Sequence, residues 1–149
     1  LTEIVFRHGG TVDKFIGDAV MCIFGAPFMT GDDALRGVKC AIEMRRNFRA
    51  LVSTGAVGED ARHLDVHIGV NTGKVVAGTV GSPRRMEYTA LGDTVNTAAR
   101  LEGVAKKGQI VLGTQTAHLV REHIPLRSMG AVSLKGKGNQ VELYEVPDT

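Results

Sequence analysis

The chain has 149 residues, of which 43% are hydrophobic and 23% are charged, and its net charge at neutral pH is +2. This length and composition predict a single globular domain, 1–149, with a buried core. So small a net charge gives no reason to expect nucleic acid or a membrane surface as a partner. No apolar run approaches the roughly 20 residues that span a bilayer, so we expect no membrane contact by this segment.

Two cysteines, Cys22 and Cys40, lie among apolar residues and form no CxxC motif. Because nothing indicates a disulfide framework, a reducing cytoplasmic compartment is the default expectation. The sequence begins at Leu1, in the middle of a pattern. We therefore expect a longer parent protein, whose upstream part could hold a regulatory or sensor domain and a membrane anchor.

The first predicted elements are two short strands within residues 11–24. Gly17-Asp18 separates them, and a Gly-Asp pair commonly closes a hairpin. The second strand contains the nearly continuous apolar run Val20–Phe24, which is typical of a central strand covered on both faces.

A long helix is predicted next, from about Asp32 to Val52. Its apolar residues recur at helical spacing, which places Arg45, Arg46 and Arg49 on the side that faces solvent. The residues that follow, 53–62, have the composition of a flexible loop.

A second pair of strands is predicted after this loop. Leu64–Val70 alternates between apolar and polar residues, as a half-buried strand does. Asn71-Thr72-Gly73 then turns the chain into a strand over Lys74–Val80, which Gly81-Ser82-Pro83 ends.

The last part of the chain predicts a helix that Asp93 caps and that runs to about Ala105. The other elements predicted here are a short strand, a short helix and two closing strands: Gln109–Leu112, Thr114–His123, Leu126–Leu134 and Val141–Val146. The order of strand pairs and helices predicts an α+β fold with a largely antiparallel sheet.

Several polar residues could carry chemistry, although each also has an ordinary structural explanation. Asn96 and Arg100 are four apart and share one helix face, where they could orient a ribose and neutralise a phosphate. Taken alone, such a pair is more often a solvated surface pair. Lys14 and Asp18 flank a hairpin turn, where charged residues are usually solvated. Lys135 lies in LKGKG, a pattern that suits phosphate binding and a plain turn equally.

A metal pair of histidines is not expected. His63 and His67 lie in or beside a strand, where four residues span about 13 Å, too far to share one ion.

Two long motifs give these residues a context: DKFIGDAV at 13–20 and RRMEYTALGDTVNTAARLE at 84–102. Both resemble class III nucleotide (adenylate/guanylate) cyclase catalytic domains, and the resemblance runs from His8-Gly9-Gly10 to Tyr144-Glu145-Val146. It implies a ferredoxin-like α+β domain that here lacks its N-terminal strand and helices. It also implies that the domain converts ATP to 3′,5′-cyclic AMP and pyrophosphate.

The resemblance assigns roles to residues on both sides of such a site. Asn96 and Arg100 match the residues that contact the ribose and the α-phosphate in the transition state. Asp18 matches one of two aspartates that hold two Mg²⁺ or Mn²⁺ ions. Oxygen ligands at a tight turn suit these hard cations.

The resemblance also points to phosphate-binding cations. Lys135 matches a phosphate-binding lysine. Arg84 or Arg85 is expected at the terminal phosphates, and the sequence does not decide between them.

Two further positions match those that select the base, Lys14 and Thr89. Lys14 can only donate, so it can serve N1 of adenine but would face N1–H of guanine. A mismatched buried polar group costs about 1–3 kcal/mol. The Thr89 hydroxyl can both donate and accept a hydrogen bond, and threonine at this position resembles the pattern of many bacterial adenylate cyclases. Guanylate cyclases characteristically carry Glu at the first position, so the residues predict ATP.

The family's other metal-binding aspartate belongs to an FxDIxxFT-like element before Asp18, and nothing here matches it. Of the acidic residues before Asp18, Glu3 and Asp13 both lack the context. The resemblance therefore implies a domain truncated at its N-terminus, a homodimer with two equivalent sites in the intact protein, and little or no activity for this segment alone. Two alternatives stay open: a non-catalytic nucleotide-binding or dimerisation module, and a guanylate cyclase, which Lys14 disfavours.

Overall fold

A computed structural model describes residues 2–25, 29–55, 58, 64–74, 76–82, 85–134 and 138–148; for 76–82 and 85–91 only the course of the backbone is described. In chain order its elements are α1 (Thr2–Arg7), β1 (Thr11–Ile16), β2 (Ala19–Ile23), α2 (Asp33–Ser53), β3 (Ile68–Val70), β4 (Val76–Ser82), β5 (Arg85–Leu91), α3 (Asp93–Val104), β6 (Ile110–Leu112), α4 (Thr114–Val120), β7 (Arg127–Val132) and β8 (Val141–Glu145).

The first hairpin is confirmed. β1 and β2 pair antiparallel around Gly17, whose φ of 61° is the left-handed conformation that glycine adopts without strain. The expectation that β2 is covered on both faces is wrong, because all five of its residues are half-buried. Within the described residues β2 pairs with β1 alone, so one of its edges has no partner strand.

The long helix α2 is confirmed, but one of its arginines was expected on the wrong side. Arg45 is only 5% exposed and donates hydrogen bonds of 3.0 Å to the carbonyl oxygens of Gly108, Val146 and Pro147. These carbonyls belong to chain segments outside regular elements, and a guanidinium has enough donors to bind all three. Arg46 is exposed, as predicted.

A four-stranded sheet forms the centre of the fold, in the order β3-β6-β8-β7. β3 and β6 run parallel, while β6–β8 and β7–β8 are antiparallel. Alternate residues of β6 face opposite layers: Ile110 and Leu112 pack with α2 and α4, whereas Val111 packs with Leu101 of α3. The predicted α+β class with a largely antiparallel sheet is confirmed.

A second hairpin, β4–β5, was only half predicted. β4 continues to Ser82, and Gly81 and Ser82 pair with Met86 and Arg85 of β5, a strand that the sequence analysis did not predict. β3 is shorter than the predicted strand Leu64–Val70. Among the described helices, none is both long and apolar enough to cross a membrane.

Candidate functional site

Helix α3 carries two of the predicted site residues, Asn96 and Arg100. It begins at Asp93, so the predicted N-cap is wrong by one residue: the cap is Gly92, at φ 128°, whose carbonyl accepts the Asn96 N–H at 3.1 Å. Thr97 and Leu101 are buried and anchor one side of the helix. Asn96 is exposed and Arg100 half-buried, so both keep access to a ligand.

The hairpin strand β1 lies against β5, which is distant from it in sequence and directly precedes α3. β5 contacts both β1 and α3. Lys14 lies on β1 and Thr89 on β5, opposite Gly78 in the hairpin. The fold therefore brings together the elements that carry the predicted base-selecting, ribose-binding and phosphate-binding residues. Arg85 is the first residue of β5, whereas Arg84 and Lys135 lie outside the described residues.

Lys14 has an acidic neighbour, Asp13, to which the sequence assigned no role in the site. Its Nζ lies 3.5 Å from an Asp13 carboxylate oxygen, and the Asp13 side chain is fully enclosed while that of Lys14 is 40% exposed. Consecutive strand residues normally point to opposite faces. An irregularity in the β1–β2 pairing between Val12 and Lys14 coincides with this contact. Such an irregularity changes the local direction of side chains, which is consistent with the approach of these two consecutive residues.

Asp18 is exposed in the turn of the first hairpin. In the part of the chain that the structure describes, no three His, Cys, Asp or Glu side chains cluster so as to hold a metal ion. One carboxylate at a hairpin tip suits a hard cation but fills few of its coordination positions. The described residues thus fit only part of a divalent-cation site.

The two cysteines do not add a nucleophile. Burial, and then the charge of Asp13, raises the pKa of Cys22 to about 11. Burial and then the neighbouring Cys22 raise the pKa of Cys40 to about 11. Since the thiolate is the reactive form, both thiols serve packing at neutral pH.

A cleft between α1 and α2 contains none of the predicted site residues. Its lining is Arg7, His8, Lys39, Ile42, Glu43 and Arg46. Glu43 accepts hydrogen bonds from His8 at 2.7 Å and from Arg7 at 2.8 Å. These bonds, that of His8 first, hold the pKa of Glu43 below its usual range. The acid is therefore engaged in joining the two helices.

The sequence matches the family described as "Adenylate and Guanylate cyclase catalytic domain" over residues 3–146. Adenylate cyclase 1 of Rhizobium meliloti is 33% identical over 147 residues, which are 97% of this chain and 22% of that protein. The terminal-differentiation specific adenylate cyclase of Dictyostelium discoideum is 39% identical over 145 residues, 94% of this chain and 7% of that protein. The chain thus spans less than a quarter of either relative.

Two solved cyclase structures have the same fold as this chain. The adenylyl cyclase CyaB from P. aeruginosa superimposes with a TM-score of 0.87 at 34% identity, covering 99% of this chain and 76% of that one. The guanylate cyclase domain of RhGC from Catenaria anguillulae, in complex with GTP, gives 0.80 at 28% identity, covering 98% and 76%. Because both kinds of cyclase are similar to this chain, its base preference depends on its own residues.

Proposed function

Because the chain belongs to the family of adenylate and guanylate cyclase catalytic domains, we propose that it is the greater part of an adenylate cyclase domain. The reaction is the conversion of ATP to 3′,5′-cyclic AMP and pyrophosphate. The observation that supports the proposal is that α3, which carries the exposed Asn96 and the half-buried Arg100, contacts β5, and that β5 in turn contacts the strand of Lys14.

In the proposed reaction the protein forms no covalent bond with the substrate. The ribose 3′-oxygen attacks the α-phosphorus in line, a new O–P bond forms, the bond to the bridging oxygen breaks, and the 3′-hydroxyl proton is released. The guanidinium of Arg100 can offset the negative charge that develops on the α-phosphate. Asn96 can hold the ribose so that the 3′-oxygen is aimed correctly.

Asp18 is proposed as one carboxylate ligand of the divalent ions, Mg²⁺ or Mn²⁺, that this family generally uses. When bound, such ions supply activation of the 3′-hydroxyl and stabilisation of phosphate charge. The remaining protein ligand is proposed to lie in an upstream element of the same domain.

The proposed assembly is a homodimer with two equivalent sites. Asp18 of one copy would serve one site, and Lys14, Thr89, Asn96 and Arg100 of the same copy would serve the other. ATP is the proposed substrate because Lys14 can donate to N1 of adenine and cannot accept from guanine.

The test is product analysis of the intact protein supplied with equal ATP and GTP and with Mg²⁺ or Mn²⁺. We expect cyclic AMP as the main product. Arg100→Ala should lower the rate at least about 100-fold, as loss of one transition-state donor does. The matched control is Arg121→Ala, at the exposed arginine that directly follows α4, and it should leave the rate unchanged.

The alternatives give different results. Mainly cyclic GMP would indicate a guanylate cyclase. Nucleotide binding with no cyclic product would indicate a non-catalytic module.

A further inference from the structure

We propose that β3 and the turn after it fix the position and rotation of α3, and that Gly69 and Thr94 are positioning residues for Asn96 and Arg100. We call residues 67–74 the docking segment. The inference rests on the proposed function, because it concerns how the reacting side chains are held. It is drawn from contacts that lie along most of the length of α3.

The central contact is between backbones. A Cβ placed on Gly69 would lie 2.6 Å from the carbonyl oxygen of Ala98, 2.8 Å from Cβ of Leu101 and closer still to the amide nitrogen of Glu102. Two of these atoms belong to the helix backbone, which cannot move aside unless the helix moves. Gly69 therefore sets how closely α3 approaches the sheet.

The first turn of α3 is tied to the docking segment by two hydrogen bonds. Asn71 Nδ2 donates to the carbonyl oxygen of Thr94 at 3.1 Å. Thr94 Oγ1 donates to the carbonyl oxygen of Lys74 at 2.7 Å. Thr94 thus receives one bond and donates another, which fixes this end of the helix against both sliding and rotation.

The docking segment is itself held by α4. The hydroxyls of Thr72 and Thr116 lie 2.7 Å apart, and Thr116 is fully buried. A Cβ on Gly113 would collide with Oδ1 of Asn71, so the absence of a side chain there leaves room for the Asn71 amide. The turn that holds α3 is therefore anchored in the core.

A weaker contact secures the other end of the helix. His67 Nδ1 lies 3.0 Å from the Glu102 carbonyl oxygen and 3.2 Å from its carboxylate. From Thr94 to Glu102 the helix rises about 12 Å. Asn96 and Arg100 lie between the two ends, so a shift of α3 moves both together. A misplacement of about 1 Å can cost about 100-fold in rate.

The experiment compares Gly69→Ala with Gly103→Ala in the intact protein. Gly103 lies on α3 itself, and a Cβ there would meet nothing within 4 Å. We expect Gly69→Ala to lower kcat at least about 30-fold while the KM for ATP changes less than about 3-fold. Gly103→Ala should keep kcat within about 2-fold, because it only adds a helix-favouring residue in open space.

A second pair of variants covers the case in which Gly69→Ala does not fold. Thr94→Val keeps the size and removes the hydroxyl, and Thr94→Ser restores the hydroxyl. We expect a kcat about 10-fold lower for Thr94→Val and rescue to within about 3-fold of wild type for Thr94→Ser. A folded Gly69→Ala with wild-type kcat, or equal kcat values for the two Thr94 variants, would overturn the inference.

Amide hydrogen exchange of α3 separates this inference from the proposed function. If the wild-type protein makes no cyclic nucleotide, the proposed function fails and the exchange data decide the positioning role alone. Faster exchange across residues 94–104 in Gly69→Ala and Thr94→Val, but not in Gly103→Ala and Thr94→Ser, supports the docking role. Unchanged exchange in all four variants overturns it.

Discussion

The ion pair between Lys14 and Asp13 affects what a substitution at Lys14 can test. The ammonium of Lys14 lies 3.5 Å from a carboxylate that is fully enclosed by the protein. An enclosed carboxylate attracts the ammonium more strongly than an exposed one would. Exchanging Lys14 for Glu, the residue typical of guanylate cyclases, would place two carboxylates side by side. The effect on base selection would then be mixed with repulsion from Asp13.

Lys14→Gln is therefore the cleaner change. The Gln carboxamide can donate to adenine N1 or accept from guanine N1–H, so it should discriminate less. We expect the ratio of kcat/KM for ATP to that for GTP to fall about 10-fold, which corresponds to about 1.4 kcal/mol. The control is Lys39→Gln, at an exposed lysine of α2. An unchanged ratio for Lys14→Gln would remove this lysine from base selection.

At the scale of elements, turn residues and apolar periodicity predicted the described elements other than α1 and β5. The Gly-Asp turn is sufficient to predict the first hairpin, and an amphipathic stretch of 21 residues is sufficient to predict α2. α1 has six residues, too few to be stable alone, and forms because Ile4 and Val5 pack with Cys40 and Met44. β5 was missed because Gly81-Ser82-Pro83 is typical of the end of a strand, whereas β4 continues to Ser82 and β5 begins at Arg85.

Arg45 shows the same limit in the packing of α2. Helical spacing places it beside Arg46 and Arg49, and spacing alone does not reveal that three carbonyls from later segments surround it. Those carbonyls lie 63 to 102 residues further along the chain. Arg45 therefore fastens the C-terminal segment and the loop before β6 to α2.

Removing this side chain should be costly. Arg45→Ala leaves three carbonyls without their donor, two of them in buried hydrogen bonds. We expect the free energy of unfolding to fall by about 3 kcal/mol or more. Arg46→Ala, at the exposed neighbour, should change it by less than about 0.5 kcal/mol. Urea unfolding of both variants measures the difference. Equal midpoints would mean that the Arg45 hydrogen bonds add nothing to stability.

At the scale of the whole molecule, the proposed site combines residues that are far apart in sequence. The cyclase resemblance predicted that position 14 and residues 89–100 act together, and β5 does contact both β1 and α3. No sequence signal predicted that the backbone of α3 packs closely against Gly69. Such a contact depends on how the sheet and the helix assemble. Periodicity can predict a helix that carries Asn96 and Arg100, but it cannot predict which residues of the sheet that helix contacts.

The central claim is that each chain contributes opposite halves of two sites: Asp18 to one, and Asn96 with Arg100 to the other. The most direct measurement is cyclic AMP production by mixed dimers of the intact protein. Asp18→Asn and Arg100→Ala chains are co-expressed with different affinity tags, and dimers carrying both tags are isolated. Dimers of either variant alone are the controls and should be at least about 100-fold less active than wild type.

In a mixed dimer one site would receive both substitutions and the other neither. We therefore expect about half of the wild-type rate, since one of two equivalent sites is intact. If Asp18 and Arg100 of one chain served the same site, each site would carry one substitution. A mixed dimer as inactive as the two control dimers would contradict the account.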